Sequence, residues 1–334
     1  MKHFNIPIFI PEKACPFQCI FCDQRKITGV EDSLQIKEFE IQIINYLSTI
    51  PTKNSSVLLA FFGGTFTGIS LKEQEEYLQM AKPFIDSGQI AGIRISTRPD
   101  YINQANLDLL KHYHVSNIEL GAQSLDDEVL KQSYRGHTYQ QVVEASQLII
   151  NNGFELGLQM MLGLPGDTKE TALQTAEHII ALGATETRIY PTMVIRGTAL
   201  EQLWRKGKYN PISTEKAIEQ SVELFQLFEE NKVRVLRMGL YPSEDFLNNE
   251  VVAGPEIHHF KERVMSRIWN QKFMPLIRKV SKDSSIIIYV SPLQLNFAIG
   301  YKASNKLMLN SYYKKVKIKS DTKQQNYNYR VDYY

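Results

Sequence analysis

All three cysteines of this 334-residue chain fall within eight residues, Cys15-Pro16-Phe17-Gln18-Cys19-Ile20-Phe21-Cys22. An odd number of thiols cannot pair completely, and so tight a group is a poor disulfide scaffold, so a reducing, cytoplasmic setting is expected. Three thiolates on one loop can face a single soft-metal centre. A closed structural zinc site wants four ligands, and a histidine such as His137 would have to complete it. A 4Fe-4S cube normally takes four thiolates, so three leave one iron open, and an open metal position is where a substrate or cofactor binds. The cysteines alone leave both readings standing.

The elements around them read as repeated βα units. β-rich runs at residues 5–10, 56–62, 92–97, 117–122, 155–162 and 187–192 alternate with amphipathic helical patterns, which predicts a parallel sheet. Thr138 with Gln141 forms a capping box, and Asn152-Gly153 ends that helix; Asp167 with Glu170 opens the next, which closes at Gly183. A further helix covers 214–230. Six such units are fewer than the eight of a closed barrel, so the fold class is α/β, a partial (β/α)6 barrel. Residues 233–240 and 286–290 are expected as strands of a small C-terminal α+β extension. The expected organisation is a core over 1–205, an extension packed on it over 206–310, and a basic, tyrosine-rich, partly disordered tail over 311–334.

In such barrels chemistry sits where loops leave the C-terminal ends of the strands. The unusual stretches fall there: the cysteine loop after the first strand, Gly63-Gly64-Thr65-Phe66 after the second, Ser96-Thr97-Arg98-Pro99 after the third, Gly121-Ala122-Gln123-Ser124 after the fourth, Gly163-Leu164-Pro165-Gly166 after the fifth and Pro191-Thr192 after the sixth. Singly they have ordinary readings. Gly63-Gly64 fits any tight turn, and Arg98 before a proline reads as an exposed loop residue. Together they line one rim.

Cys15-x3-Cys19-x2-Cys22, with Phe21 before the last cysteine and the glycines after the second strand, resembles the radical S-adenosylmethionine (SAM) superfamily. The resemblance implies a 4Fe-4S cluster on Cys15, Cys19 and Cys22, SAM bound through its amino and carboxylate groups to the open iron, and cleavage to a 5′-deoxyadenosyl radical. It also implies a reducing electron donor of the flavodoxin or ferredoxin type. By the same resemblance Phe21 packs near the adenine, and Gly63, Gly64 and Thr65 approach the methionyl amino group. Gln123 resembles the ribose-contacting glutamine of the oxygen-independent coproporphyrinogen oxidases, and Arg135 their partner for the methionyl carboxylate. Ser96 stands where many relatives carry glutamate, and Gln159 where the porphyrin enzymes carry aspartate; both keep hydrogen-bonding capacity.

GGTFTGI, STRPDYI, IELGAQSLDDEVL, RGHT, GLPGDT and IYPTMVIRGTALEQLWRKGKY resemble the radical SAM core of the elongator catalytic subunit over roughly residues 5–240, which implies tRNA as a partner. That subunit adds a basic segment before the core and an acetyltransferase domain after it. With Cys15 near the first residue and the sequence stopping at Tyr334, the expectation is a core without them. The stretch 242–260 resembles shorter elongator-like bacterial proteins; its His258-His259 pair fits surface or packing residues, proton transfer or a metal ligand. Net charge is +2, but from Lys302 onward eight Lys or Arg face two Asp. That tail reads as a solvated segment, or as an RNA-contacting arm with Tyr312, Tyr313, Tyr327 and Tyr329 as stacking rings. Pro7, Pro11, Glu12 and Lys13 interrupt the N-terminal apolar run, and no run approaches the roughly 18 residues of a membrane span, so no membrane partner is expected. Besides a radical SAM enzyme on tRNA, two alternatives follow: one acting on a small molecule such as a tetrapyrrole or metabolite, and a non-catalytic iron-sulfur or zinc-binding protein.

Overall fold

The computed structural model describes residues 2–10, 15, 19–28, 36–51, 54–240, 244–277 and 284–334. Pro11, Glu12 and Lys13, and Pro242 with Ser243, lie outside the described residues. The chain runs β1 (Lys2–Ile10), α1 (Gln24–Thr28), α2 (Ile36–Thr49), β2 (Ser55–Gly63), α3 (Leu71–Asp86), β3 (Gly92–Thr97), α4 (Gln104–His112), β4 (Val115–Gln123), α5 (Asp127–Gln132), α6 (Tyr139–Asn151), β5 (Glu155–Leu162), α7 (Lys169–Ala181) and β6 (Glu186–Pro191). It continues through β7 (Val194–Ile195), α8 (Ala199–Arg205), α9 (Thr214–Glu230), β8 (Arg234–Met238), α10 (Glu244–Asn249) and β9 (Val251–Ala253).

Seven parallel strands form one curled sheet in the order β1-β2-β3-β4-β5-β6-β8. This is the expected α/β partial barrel with one strand more. Residues 233–240 belong to it and not to an extension, because β8 joins the β6 edge through Glu186↔Arg234 and Ile189↔Met238. Its connection runs through α8 and α9 instead of one crossover helix, and Arg234 and Arg237 dilute its apolar signal, so the βα period alone did not extend to it.

Strand residues alternate between the two faces of the sheet. One face carries Ile6, Ile8, Leu59, Phe61, Ile93, Ile95, Ile118, Leu120 and Leu158, all fully buried. Phe61 there stacks on Phe39 of α2 at 6.2 Å between centroids, which marks this as the helix-covered face. The neighbouring Phe62 points to the other, concave face, where the Arg188 guanidinium lies 4.9 Å from its ring centroid. That face is charged. Arg94 meets Glu186, which also binds Arg234, while Arg188 Nε donates to Glu119 Oε2 at 3.0 Å and Arg94 lies 3.7 Å from the same carboxylate. Arg94, Glu119 and Glu186 are each at most 5% exposed.

The Thr138–Gln141 capping box forms as expected. The cap of α7 is displaced by one residue: Thr168, not Asp167, accepts from the backbone of Thr171. The Asp167 carboxylate instead accepts from Gly163 N and Thr171 Oγ1, both at 2.7 Å, and so closes the turn after β5. Burial pushes its pKa up to about 6.

The chain divides into two compact units, the first Met1–Ile212 with Leu227–Pro255 and the second Ser213–Gln226 with Glu256–Tyr334, so the division differs from the expected boundaries at 205 and 310. The second unit contains α11 (Phe260–Ile277), β10 (Ser285–Val290), α12 (Leu295–Ile299), α13 (Ser304–Asn310), β11 (Lys315–Ser320) and β12 (Tyr329–Tyr333). Its sheet has the order β11-β10-β12, with β11 parallel and β12 antiparallel to β10. The tail is therefore not a disordered segment but two strands. Its rings are also mostly not stacking platforms. Tyr313 is 3% exposed and donates to Leu276 O at 2.7 Å, Tyr329 donates to Lys272 O at 3.1 Å, and Tyr327 packs 6.4 Å from Trp269, all within one apolar cluster. Among the described residues, no helix is long and apolar enough to cross a membrane.

Removing one member of a buried ion network leaves an uncompensated charge, which costs about 3–5 kcal/mol. Glu186→Ala is therefore expected to destabilise the protein by that order in urea unfolding, because Arg94 is left buried. A loss below about 1 kcal/mol would show that Arg94 finds another partner or water.

Candidate active site

The loop after β1 is held at its far end. Cys22 N donates to Cys19 O at 3.0 Å, Ile20 N to Ser133 O at 3.3 Å, and Leu200 N to Ile20 O at 2.7 Å. Phe21 packs with Cys19 and Ile20 among Val129, Leu164, Val194 and Leu200. Below it, Lys26 Nζ of α1 donates to Glu250 Oε2 at 2.7 Å and Arg196 O at 2.9 Å. These contacts hold the Cys19–Cys22 end of the loop.

Each sulfur has a polar neighbour. Cys15 Sγ lies 3.4 Å from Thr65 Oγ1, Arg135 Nη1 donates to Cys19 Sγ at 3.3 Å, and Gln24 Nε2 to Cys22 Sγ at 3.6 Å. Among the described residues, no three His, Cys, Asp or Glu side chains converge on one metal ion. Such convergence suits a mononuclear site; the thiolates of an iron-sulfur cube each bind a different iron and need only face a common volume.

That volume is a cavity of about 450 Å³ at the C-terminal ends of the strands. Cys15, Cys19, Cys22, Phe21, Gly63, Gly64, Thr65, Ser96, Gln123, Arg135 and Gln159 all line it, so the structure brings together every residue singled out as a cluster or SAM contact. Gly63 has φ +107°, and a Cβ there would sit 2.6 Å from Ile10 O of the paired strand. Gln123 has φ +66° at a register shift between β4 and β5 and, like Glu119 and Gly121 before it, faces the cavity. Gln159 Nε2 donates to Gln123 Oε1 at 3.0 Å. Arg135 Nη2 donates to Gly121 O at 2.6 Å, and its buried Nε has no partner among the described residues. A Cβ at Gly121 would come within 2.8 Å of both the Arg135 and Gln123 side-chain ends, so the absent side chain is the space those two groups occupy.

The cavity also holds residues that the sequence reading passed over. Glu119, Arg188, Tyr190 and Arg237 line it, and Arg188 Nη1 donates to Tyr190 Oη at 3.2 Å. Burial works against the Arg188 charge, but Glu119 beside it raises its pKa overall. The usable signal was charge inside strands that period-2 logic places on the concave face. Arg98 is a correction: it is 2% exposed and bound to Asp100 by two hydrogen bonds of 2.9 Å, not an exposed loop residue. His137 does not line the cavity. It is buried with Nε2 3.2 Å from Ala122 O, and burial, with Arg135 and Arg98 nearby, lowers its pKa to about 2. His258 and His259 are exposed, and His259 pairs with Glu262 at 3.1 Å, a surface arrangement.

Comparison with known proteins bears on this geometry. A tRNA uridine(34) acetyltransferase of Dehalococcoides mccartyi is 28% identical over 230 residues, 59% of this chain and 50% of that protein. An uncharacterized protein of Methanocaldococcus jannaschii is 26% identical over 279 residues, 80% of this chain and 83% of that one. The chain spans about half the length of the tRNA uridine(34) acetyltransferases it matches. The archaeal Elp3 of Methanocaldococcus infernus with an N-terminal deletion shares the fold, with a TM-score of 0.62 at 21% identity over 81% of this chain and 63% of that one. Residues 185–270 match the Radical_SAM C-terminal domain. Residues 10–179 match the Radical SAM superfamily, and with the three-cysteine loop set at the mouth of a parallel half-barrel the chain belongs to that superfamily of enzymes.

Proposed function

We propose that this protein is a radical SAM enzyme that modifies tRNA, with Cys15, Cys19 and Cys22 holding the cluster. The observation that carries the reading is the convergence of those three sulfurs with the glycine, amide and guanidinium groups of the neighbouring strands in one cavity. Relatives named for tRNA uridine(34) support the choice of tRNA. Acetyl transfer, which also names those relatives, is not carried over.

Superfamily members use a 4Fe-4S cluster and SAM. The residues fit both groups: three hydrogen-bonded sulfurs on one loop, a glycine cradle with no room for a side chain, and a buried guanidinium nitrogen beside Cys19 that no described residue partners. Held by Cys15, Cys19 and Cys22, such a cluster would supply the one-electron reduction for which SAM is the partner, and SAM would supply the nucleoside that abstracts hydrogen. The chain's own groups orient and shield. Arg135 meets the methionyl carboxylate, and the backbone of Gly63, Gly64 and Thr65 meets the amino group. Gln159 acts through Gln123: by occupying Gln123 Oε1 it leaves Gln123 Nε2 to donate to a ribose hydroxyl. Phe21 packs by the adenine, and Ser96 offers a hydroxyl at the rim. A reduced flavodoxin or ferredoxin supplies the electron, in the cytoplasm.

Cys19→Ala is expected to reduce iron and sulfide content after anaerobic reconstitution to background; a variant retaining a full cluster would exclude the assignment. Gly121→Ala, which displaces Arg135 and Gln123 side chains but no backbone, is expected to weaken SAM binding roughly tenfold at an unchanged unfolding midpoint. Unaltered SAM affinity would remove both side chains from the SAM site. The central test is 5′-deoxyadenosine formation by the reconstituted, reduced protein with and without total tRNA. Faster formation with tRNA supports the substrate class, indifference to tRNA excludes it, and no formation by cluster-loaded protein excludes the enzymatic reading.

A further inference from the structure

The outer face of the three-stranded sheet in the second unit is basic and carries aromatic rings between its charges. Side chains on β11 alternate: Val316 and Ile318 turn to the apolar cluster around Trp269, and Lys315, Lys317 and Lys319 turn to solvent. Cross-strand pairing extends each lysine into a row. Lys317 pairs with Ile287, which pairs with Asp332; Lys319 pairs with Tyr289, which pairs with Arg330. Lys315 pairs with Ser285, whose backbone exchanges two hydrogen bonds with Tyr334, at 2.9 and 3.0 Å, so Tyr334 stands in the same row. The Arg330 guanidinium lies 4.3 Å from the Tyr289 ring centroid, and Tyr334 is 58% exposed. Asp332 is the single acid in these rows, and Arg330 satisfies it at 2.6 Å.

We infer that this face is a docking surface for a single-stranded segment of RNA. Two residues of a strand advance about 6.6 Å, so the three ammonium groups form a line about 13 Å long, matched to a run of phosphates. Rings set among cations are the construction that binds unpaired bases by stacking and backbone by charge. A plain anionic surface would use the lysines but gives no role to Tyr289 and Tyr334. The inference rests on the tRNA reading above and adds a place where RNA is held, built from the second unit's own residues.

The test titrates labelled total tRNA into the reconstituted full chain at several salt concentrations. Lys315→Glu/Lys317→Glu/Lys319→Glu is expected to lower affinity at least roughly tenfold and to reduce the slope of log K against log salt by about 2, since each lost phosphate contact removes about 0.7. The corresponding Lys→Gln variant, gentler on the edge strand, is expected to move both quantities the same way. Tyr334→Ala is expected to lower affinity several-fold with the slope unchanged. Formation of 5′-deoxyadenosine without tRNA stays at the wild-type rate in all of them. Unchanged affinity and slope in the lysine variants, while tRNA still stimulates turnover, overturn this surface alone and leave the lysines as guards of an open sheet edge. A wild-type protein that neither binds tRNA nor responds to it overturns the tRNA reading as well. Tighter binding of phosphatidylserine vesicles than of tRNA also overturns the RNA assignment.

Discussion

The concave face of the half-barrel is held by two glutamates, each shared between two arginines. Glu186 binds Arg94 and Arg234, and Glu119 binds Arg188 while Arg94 stands at the edge of its reach. A parallel sheet this small has helices for only one of its faces, and its other face must be filled by its own side chains. Apolar side chains would close it. Guanidinium and carboxylate groups, locked in pairs, instead keep the strands at fixed separation and leave room above them. The desolvation they incur is why neither glutamate tolerates losing a partner. Glu119 and Arg188 of that lattice line the cavity directly.

Much of this was legible in the sequence where local chemistry decides the structure. The Gly63 turn and the capping box at Thr138 depend on residues within a few positions of one another, and they form as read. The six strands of the repeating βα units were legible for the same reason. Long-range decisions were harder to read. The seventh strand depends on which edge the segment after α9 meets, and its two arginines carry no β signal of their own. The tail looked solvated because its lysines alternate with isolated valine and isoleucine, too weak a pattern until Trp269 and Phe273 supply the other half of the core. The charged network was invisible in a different way: its members are spread across four strands, and only the register brings them opposite one another.

Backbone irregularity carries as much of the site as side-chain identity does. Gln123 sits at φ +66° where the register shifts between Gly121 and Gln123, and Gly121 leaves the volume that Arg135 enters. Strand alternation from Glu119 through Gly121 already directs Gln123 to the concave face, and β4 ends at that residue.

Arg135 deserves a last thought as a connector. One guanidinium touches the sulfur of Cys19 and the carbonyl of Gly121, and so spans the loop after β1 and the fourth strand. A group shared between two subsites makes their occupancies thermodynamically linked, and the linkage is reciprocal. Whatever orders the cysteine loop also orients the side chain that would receive a carboxylate, and a carboxylate bound there strengthens the order of the loop in equal measure. The coupling term, not either affinity by itself, is what the two subsites would share.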